Sequence, residues 1–283
     1  QVLDLSVRPA MVYAWERLTK LLDRHPVSLL SWSAVSGGRG PASAARRHLG
    51  ALAAYRLLDA VRERYPEVSL VSSAMDLAMA RRTVATDRAP DSTSRHRTFA
   101  SLAQLMPPDR IWQPAYDEAE DGTSPGYRAL APFFGQLGLG MDLRKQAPAS
   151  LRAIHRWLAL YKGFRPLLHS GHTVRSDQND SGFAAHGVVA EDRTEALYAL
   201  VWLERSAGRR VRLDGLDPAA TYRLEVSGPR PMDAQAVAPS WSGSDQVPLV
   251  TGRALGTAGV MLPAARRGSA LLLHLSSVER EVG

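Results

Sequence analysis

The sequence predicts an α/β segment followed by an all-β segment, and three observations carry that division. Up to about residue 168, runs with apolar residues at every third or fourth position alternate with short apolar stretches of strand length. After Ser170 the apolar period shortens to two. Turn dipeptides then punctuate the chain, at Asp214-Gly215, Asp217-Pro218, Gly228-Pro229 and Arg267-Gly268, in the manner of an antiparallel sandwich.

In the first segment, Met11, Val12, Trp15, Leu18 and Leu22 lie at helical spacing, and Pro26 closes that helix before a strand over 27–32. A glycine-rich loop, Ser36 to Pro41, leads into a long Ala/Leu/Arg helix ending near Tyr65-Pro66, and 68–72 reads as the next strand. This is a βαβ rhythm. It continues with a helical stretch over 76–84, a polar loop over 87–97, a helix to Met106, a strand over 110–116 and a helix around 127–137. An amphipathic helix over 151–168 follows, carrying Ile154, Trp157, Leu158 and Tyr161. The second segment offers strands at 185–190, 196–204, 209–213, 221–226 and 270–275. The change of period sets a domain boundary at 170–175, between 1–168 and 172–283.

Composition excludes several function classes. The chain has 283 residues, 45% hydrophobic and 22% charged, a globular balance, and its apolar runs are broken well before membrane-spanning length. It has no cysteine, which removes disulfides, thiolate metal sites and cysteine nucleophiles, and leaves the compartment unfixed, with the cytoplasm as the default expectation. The net charge of +7 invites a nucleic-acid reading, but arginine is scattered over the whole length and lysine occurs only at Lys20, Lys145 and Lys162. Without a basic stripe, nucleic-acid binding is not expected. The chain starts at Gln1 without a basic-then-apolar leader, as a piece of something longer would.

Several local strings resemble the bacterial α-galactosidases of glycoside hydrolase family 36. The opening Gln1-Val2-Leu3-Asp4-Leu5, the strand ending in Trp32 and the Arg56-Leu57-Leu58-Asp59 helix look like the second half of that family's catalytic barrel. Gly163 to Gly171, Ala185-His186-Gly187-Val188-Val189, Leu213 to Arg223, Leu249 to Leu255 and Ala270 to Leu275 resemble its C-terminal β domain in order and spacing. The resemblance implies a partial (β/α)8 TIM barrel over 1–168, followed by an antiparallel β-sandwich over 172–283. It also implies terminal α-galactosyl groups of oligosaccharides as substrate, no cofactor and no metal. Homo-oligomerisation stays open.

A retaining family mechanism needs two carboxylates about 5 to 5.5 Å apart, one as nucleophile and one as acid/base. The family's Lys-Trp-Asp nucleophile motif reads Ser31-Trp32-Ser33 here, so Ser33 stands at the nucleophile position. A serine hydroxyl without an adjacent base is a poor nucleophile, and an ether formed at Ser33 would leave badly. No Gly-x-Ser-x-Gly elbow surrounds Ser33, which removes a serine-hydrolase reading. The acid/base position falls on Thr93, or with a small gap on Asp91, in the run Thr86 to Ser94. The family's Cys-Ser-Ser-Gly-Gly reads Val71-Ser72-Ser73-Ala74-Met75, and its Glu-Trp-Asp-Leu reads Gly140-Met141-Asp142-Leu143.

The departures all fall on sugar-facing motifs while packing motifs remain, which predicts a catalytically impaired chain. The alternatives are a non-catalytic carbohydrate-binding or scaffolding paralogue, and a decayed fragment. Trp32 is the expected sugar-stacking wall; Trp15, Trp112, Trp157 and Trp202 are expected in cores. His169 and His172 lack a third ligand and are read as structural, and the acidic run Asp117, Glu118, Glu120, Asp121 as a solvated loop.

Overall fold

The structure is a computed structural model that describes residues 3–32, 44–72, 84–86, 91–103, 105–115, 123, 125–228 and 247–278. The glycine-rich loop 36–41, the acidic run 117–121 and most of the expected helix 76–84 lie outside the described residues. The chain divides into two compact units, Gln1–Thr86 and Asp87–Gly283. This division follows packing. The boundary expected at 170–175 followed a change of sequence period, and the two criteria mark different places.

In the first unit, α1 (Arg8–Arg24) and α2 (Ala44–Arg64) accompany three parallel strands in the order β1 (Leu29–Trp32), β2 (Ser69–Ser72), β3 (Val84–Thr86). The registers Trp32↔Ser72 and Ser72↔Ala85 bring the C-terminal ends of the three strands side by side. Leu22 of α1, Leu58 and Val61 of α2, Tyr65 just after it, Val68, and Leu70 of β2 form the buried cluster, with Trp15, Leu30, Trp32 and Tyr55 packed against it. Tyr65 ties the two helices by donating its hydroxyl to the Asp23 carboxylate at 2.6 Å. Val84, expected as the last residue of a helix, begins β3 instead.

The second unit opens with α3 (Ser92–Leu102). This overturns the expected polar loop over 87–97 for its last six residues. The reason is that the buried face of α3 is itself polar: Ser92, Thr93, Arg95 and His96 are buried together with Phe99 and Leu102. Then come β4 (Ile111–Ala115), α4 (Pro125–Leu130) and β5 (Gln136–Leu139), β4 and β5 pairing in parallel. The helix expected around 127–137 therefore stops at Leu130. A Cβ on Gly138 would lie 2.5 Å from the Trp112 indole nitrogen, so the strand there needs a glycine beneath that ring.

Helix α5 (Pro148–Ser170) leads into a six-stranded antiparallel sheet of order β11-β10-β13-β8-β7-β6. Its strands are β6 (His172–Arg175), β7 (Phe183–Val189), β8 (Glu195–Trp202), β10 (Thr221–Ser227), β11 (Leu249–Thr251) and β13 (Ser269–Val278). A ribbon of β9 (Arg209–Val211) and β12 (Val260–Leu262), with α6 (Gly252–Thr257), covers one face. Strands β6, β11 and β12 were not among those expected; each is only three or four residues long, too short to display a period. Along β8, Ala196, Tyr198, Leu200 and Trp202 pack toward the ribbon, while Leu197, Ala199 and Val201 pack toward residues of α3, α4 and α5. A strand buried on both faces reads as a continuous apolar run, which β8 is. The 190–194 turn holds Arg193 at φ 59°, and the Tyr222 hydroxyl donates to its carbonyl at 2.7 Å.

Candidate functional site

In parallel α/β layers, binding and catalytic groups come from the loops that leave the C-terminal ends of the strands. Three such ends stand together in the first unit. β1 ends at Trp32, β2 at Ser72 and β3 at Thr86. Ser33, the nucleophile position, is the next residue after β1 and lies outside the described residues.

Trp32 is half-buried and shares its face of β1 with Leu30, both packed against the cluster of α1 and α2. Leu29 and Ser31 alternate to the other face and are exposed.

Asp91 and Thr93 belong to the second unit. Asp91 is the N-cap of α3: its carboxylate accepts from the Ser94 amide at 2.9 Å and from the Ser94 hydroxyl at 2.8 Å. Partial burial works to raise its carboxyl, but the hydrogen bonds from Ser94 and the Thr93 amide, with the charge of Arg267, outweigh it and hold it below the ordinary value. Thr93 is buried in the first turn and accepts a hydrogen bond from the Tyr127 hydroxyl at 2.9 Å. Tyr127 holds α3 a second time, because its carbonyl lies 2.9 Å from His96 Nε2 and its ring 4.5 Å from the imidazole. Ser92 and Thr123 pair their hydroxyls at 3.4 Å, and Gln113 of β4 donates to the Arg95 carbonyl at 3.2 Å. This buried polar network was not anticipated. The Asp91-x-x-Ser94 cap with Phe99 and Leu102 at helical spacing was the signal that could have revealed it.

Asp142 caps a short 3-10 turn and grips Arg144 through its amide at 3.1 Å and its guanidinium at 2.9 Å. The Arg144 hydrogen bonds hold this carboxyl below its ordinary value. His169 meets the Tyr161 hydroxyl at 3.3 Å, while His172 lies on β6. Among the described residues no group of three His, Asp or Glu side chains is placed to hold a metal ion. No described helix is long and apolar enough to cross a membrane.

Residues 183–275, which span β7 to most of β13, match the Glycosyl hydrolase family 36 C-terminal domain. Over those residues the chain is similar to the family 36 glycoside hydrolases, the resemblance its motifs carry. The α-galactosidase of Escherichia coli is 29% identical over 304 residues, covering 97% of this chain and 42% of that protein. Among solved structures, the α-galactosidase AgaA of Geobacillus stearothermophilus, in complex with raffinose, superposes with a TM-score of 0.79 at 22% identity over 98% of this chain and 39% of that one. The α-galactosidase of Lactobacillus brevis gives 0.80 at 20% identity over 100% and 40%. The chain spans about two fifths of the length of these relatives.

Proposed function

We propose that this chain is the second half of a (β/α)8 catalytic barrel with its C-terminal β domain, built for α-galactoside oligosaccharides and impaired at the nucleophile. The observation that carries the reading is β1, a parallel strand that ends at Trp32, with Ser33 next in the sequence where the family has Asp. Without a carboxylate there, the anomeric carbon has no group to form the glycosyl ester that water can later cleave. Trp32 packs the strand on its helices, and Ser31 lies on the opposite, exposed face of β1.

For the acid/base, Thr93 and Asp91 are the positions given by motif alignment. Both Asp91 carboxylate oxygens accept from Ser94, as an N-cap requires, and Thr93 carries no acid. Of the two positions only Asp91 can donate a proton, and we read it as the acid that also caps α3.

A missing nucleophile with a retained acid has a chemical signature. An aryl α-galactoside should not be turned over by the full chain, whereas added azide should replace the nucleophile and yield β-galactosyl azide. An aryl leaving group departs with little acid help, so the acid is tested on an alkyl α-galactoside: azide rescue there that Asp91→Asn abolishes and Thr93→Val retains supports Asp91 as the acid. Rescue retained in both variants would remove both positions. Failure of rescue in every form would favour a non-catalytic, sugar-binding or scaffolding role.

A further inference from the structure

Two histidines in the second unit face an apolar interior from opposite elements. His96 lies on the buried face of α3, and His186 lies on β7, on the face of Ala184 and Val188. The His186 ring is wedged between Phe99 of α3, with centroids 5.1 Å apart, and Phe134, 4.7 Å away and edge-on. Among the described residues neither of its ring nitrogens has a hydrogen-bond partner. His96 donates from Nε2 to the Tyr127 carbonyl, which leaves Nδ1 as a buried acceptor without a partner among the described residues. An imidazole can be buried in such a place only while neutral, because a charge there would meet neither water nor a counter-ion.

The surroundings strengthen that restriction. Arg95, on α3 itself, opposes a charge on His96, and His96 opposes one on His186. On the sheet, the residues opposite His186 are Arg175 of β6 and Ala199 of β8. From the helical side come Phe99, Phe134 and the Tyr127 phenol, which is committed to Thr93. Among the described residues no carboxylate acts on either ring.

We propose that His96 and His186 form an acid-opened latch that holds α3 on the six-stranded sheet. In mild acid, protons bind the pair in the opened state and α3 leaves β7 while the sheet stays folded. The segment freed first is the one that carries Asp91 and follows β3. This device does not depend on the glycosidase reading, since it rests on His96 and His186 and does not involve Ser33.

The direction in pH follows from burial. Desolvation pushes His96 down to about 4 and His186 down to about 3, from an ordinary value of 6.5. The closed state therefore keeps its full advantage above pH 6.5 and loses it as the pH falls from there toward the two lowered values. From pH 7.5 to 5.5, each histidine should raise the opening equilibrium about tenfold, and the pair about a hundredfold.

Amide hydrogen exchange of the full chain, corrected for intrinsic rates, reads this directly. Protection over α3 should start below that of β8 and fall about a hundredfold between pH 7.5 and 5.5. His186→Leu, which fills the same apolar slot, should reduce that fall to about tenfold. His96→Gln, which keeps a donor toward Tyr127, should do the same if the first variant folds poorly. Equal protection of α3 and β8 at both pH values would mean global unfolding and overturn the latch. A hundredfold fall that survives both substitutions would overturn the assignment to these histidines.

Discussion

The six-stranded sheet of the second unit buries both of its faces, whereas β1 of the first unit covers only one. Among the described residues, the sheet is flanked by two clusters of nineteen buried apolar residues each, while the first unit has one cluster of six. Leu29 on β1 is 56% exposed, and Leu197, Ala199 and Leu200 on β8 are each 0% exposed. Apolar area removed from water is the main term that offsets chain entropy. Among the described residues, the strand that precedes Ser33 in the chain thus rests on the thinner core. The C-terminal domain match lies wholly on the thicker one. Sequence change at sugar-facing positions can accumulate without touching the clusters that fold the chain.

This comparison can be broken in order of effect. Trp202→Ala removes a fully buried ring that stands edge-on to Phe183 at 5.5 Å. It should cost about 4 kcal/mol, confined to the second unit. Leu58→Ala removes a fully buried side chain from the small cluster and should cost about 3 kcal/mol, confined to the first unit. Urea unfolding followed by segment-resolved hydrogen exchange should show the first unit opening at lower urea than the second. A single transition shared by both units, shifted equally by either substitution, would erase the distinction.

Smaller changes sharpen the picture. Gly138→Ala pushes a methyl into the Trp112 ring and should cost about 2 kcal/mol through the parallel pair β4 and β5, measured by the same unfolding. Asp91→Ala removes the α3 cap and should cost about 1 kcal/mol. Because the Asp91 carboxyl is held below its ordinary value, the cap contributes fully above pH 3.8 and is lost as the pH falls through the lowered folded value. The Asp91→Ala variant should therefore converge with the parent in strong acid. A constant difference at all pH values would mean that Asp91 acts through something other than its charge.

Much of this architecture was legible in the residues, for reasons that also mark where legibility ended. Strands β7, β8, β10 and β13 were readable because seven to ten residues of apolar or alternating pattern leave little choice. Helix α3 was obscured because Arg95 and His96 are buried where polarity suggests solvent. Strand β5 was obscured because Gln136 to Leu139 is only four residues long and shows no clear period, so its pairing with β4 decides its conformation. At the site, the reading of Ser33 rests on motif position alone, since the residue lies outside the described residues. The commitment of Asp91 to Ser94 and the packing side of Trp32 were not legible, because capping and strand facing depend on where each element starts.

The central claim concerns the end of β1, and one measurement addresses it most directly. Purified full chain would be incubated with an aryl α-galactoside, with and without azide, and the released phenol and the sugar product followed. The account predicts no release above background without azide, and azide-dependent release with β-galactosyl azide as product. Steady turnover without azide, yielding galactose at a rate unaffected by Ser33→Ala, would show an intact nucleophile elsewhere and contradict the account.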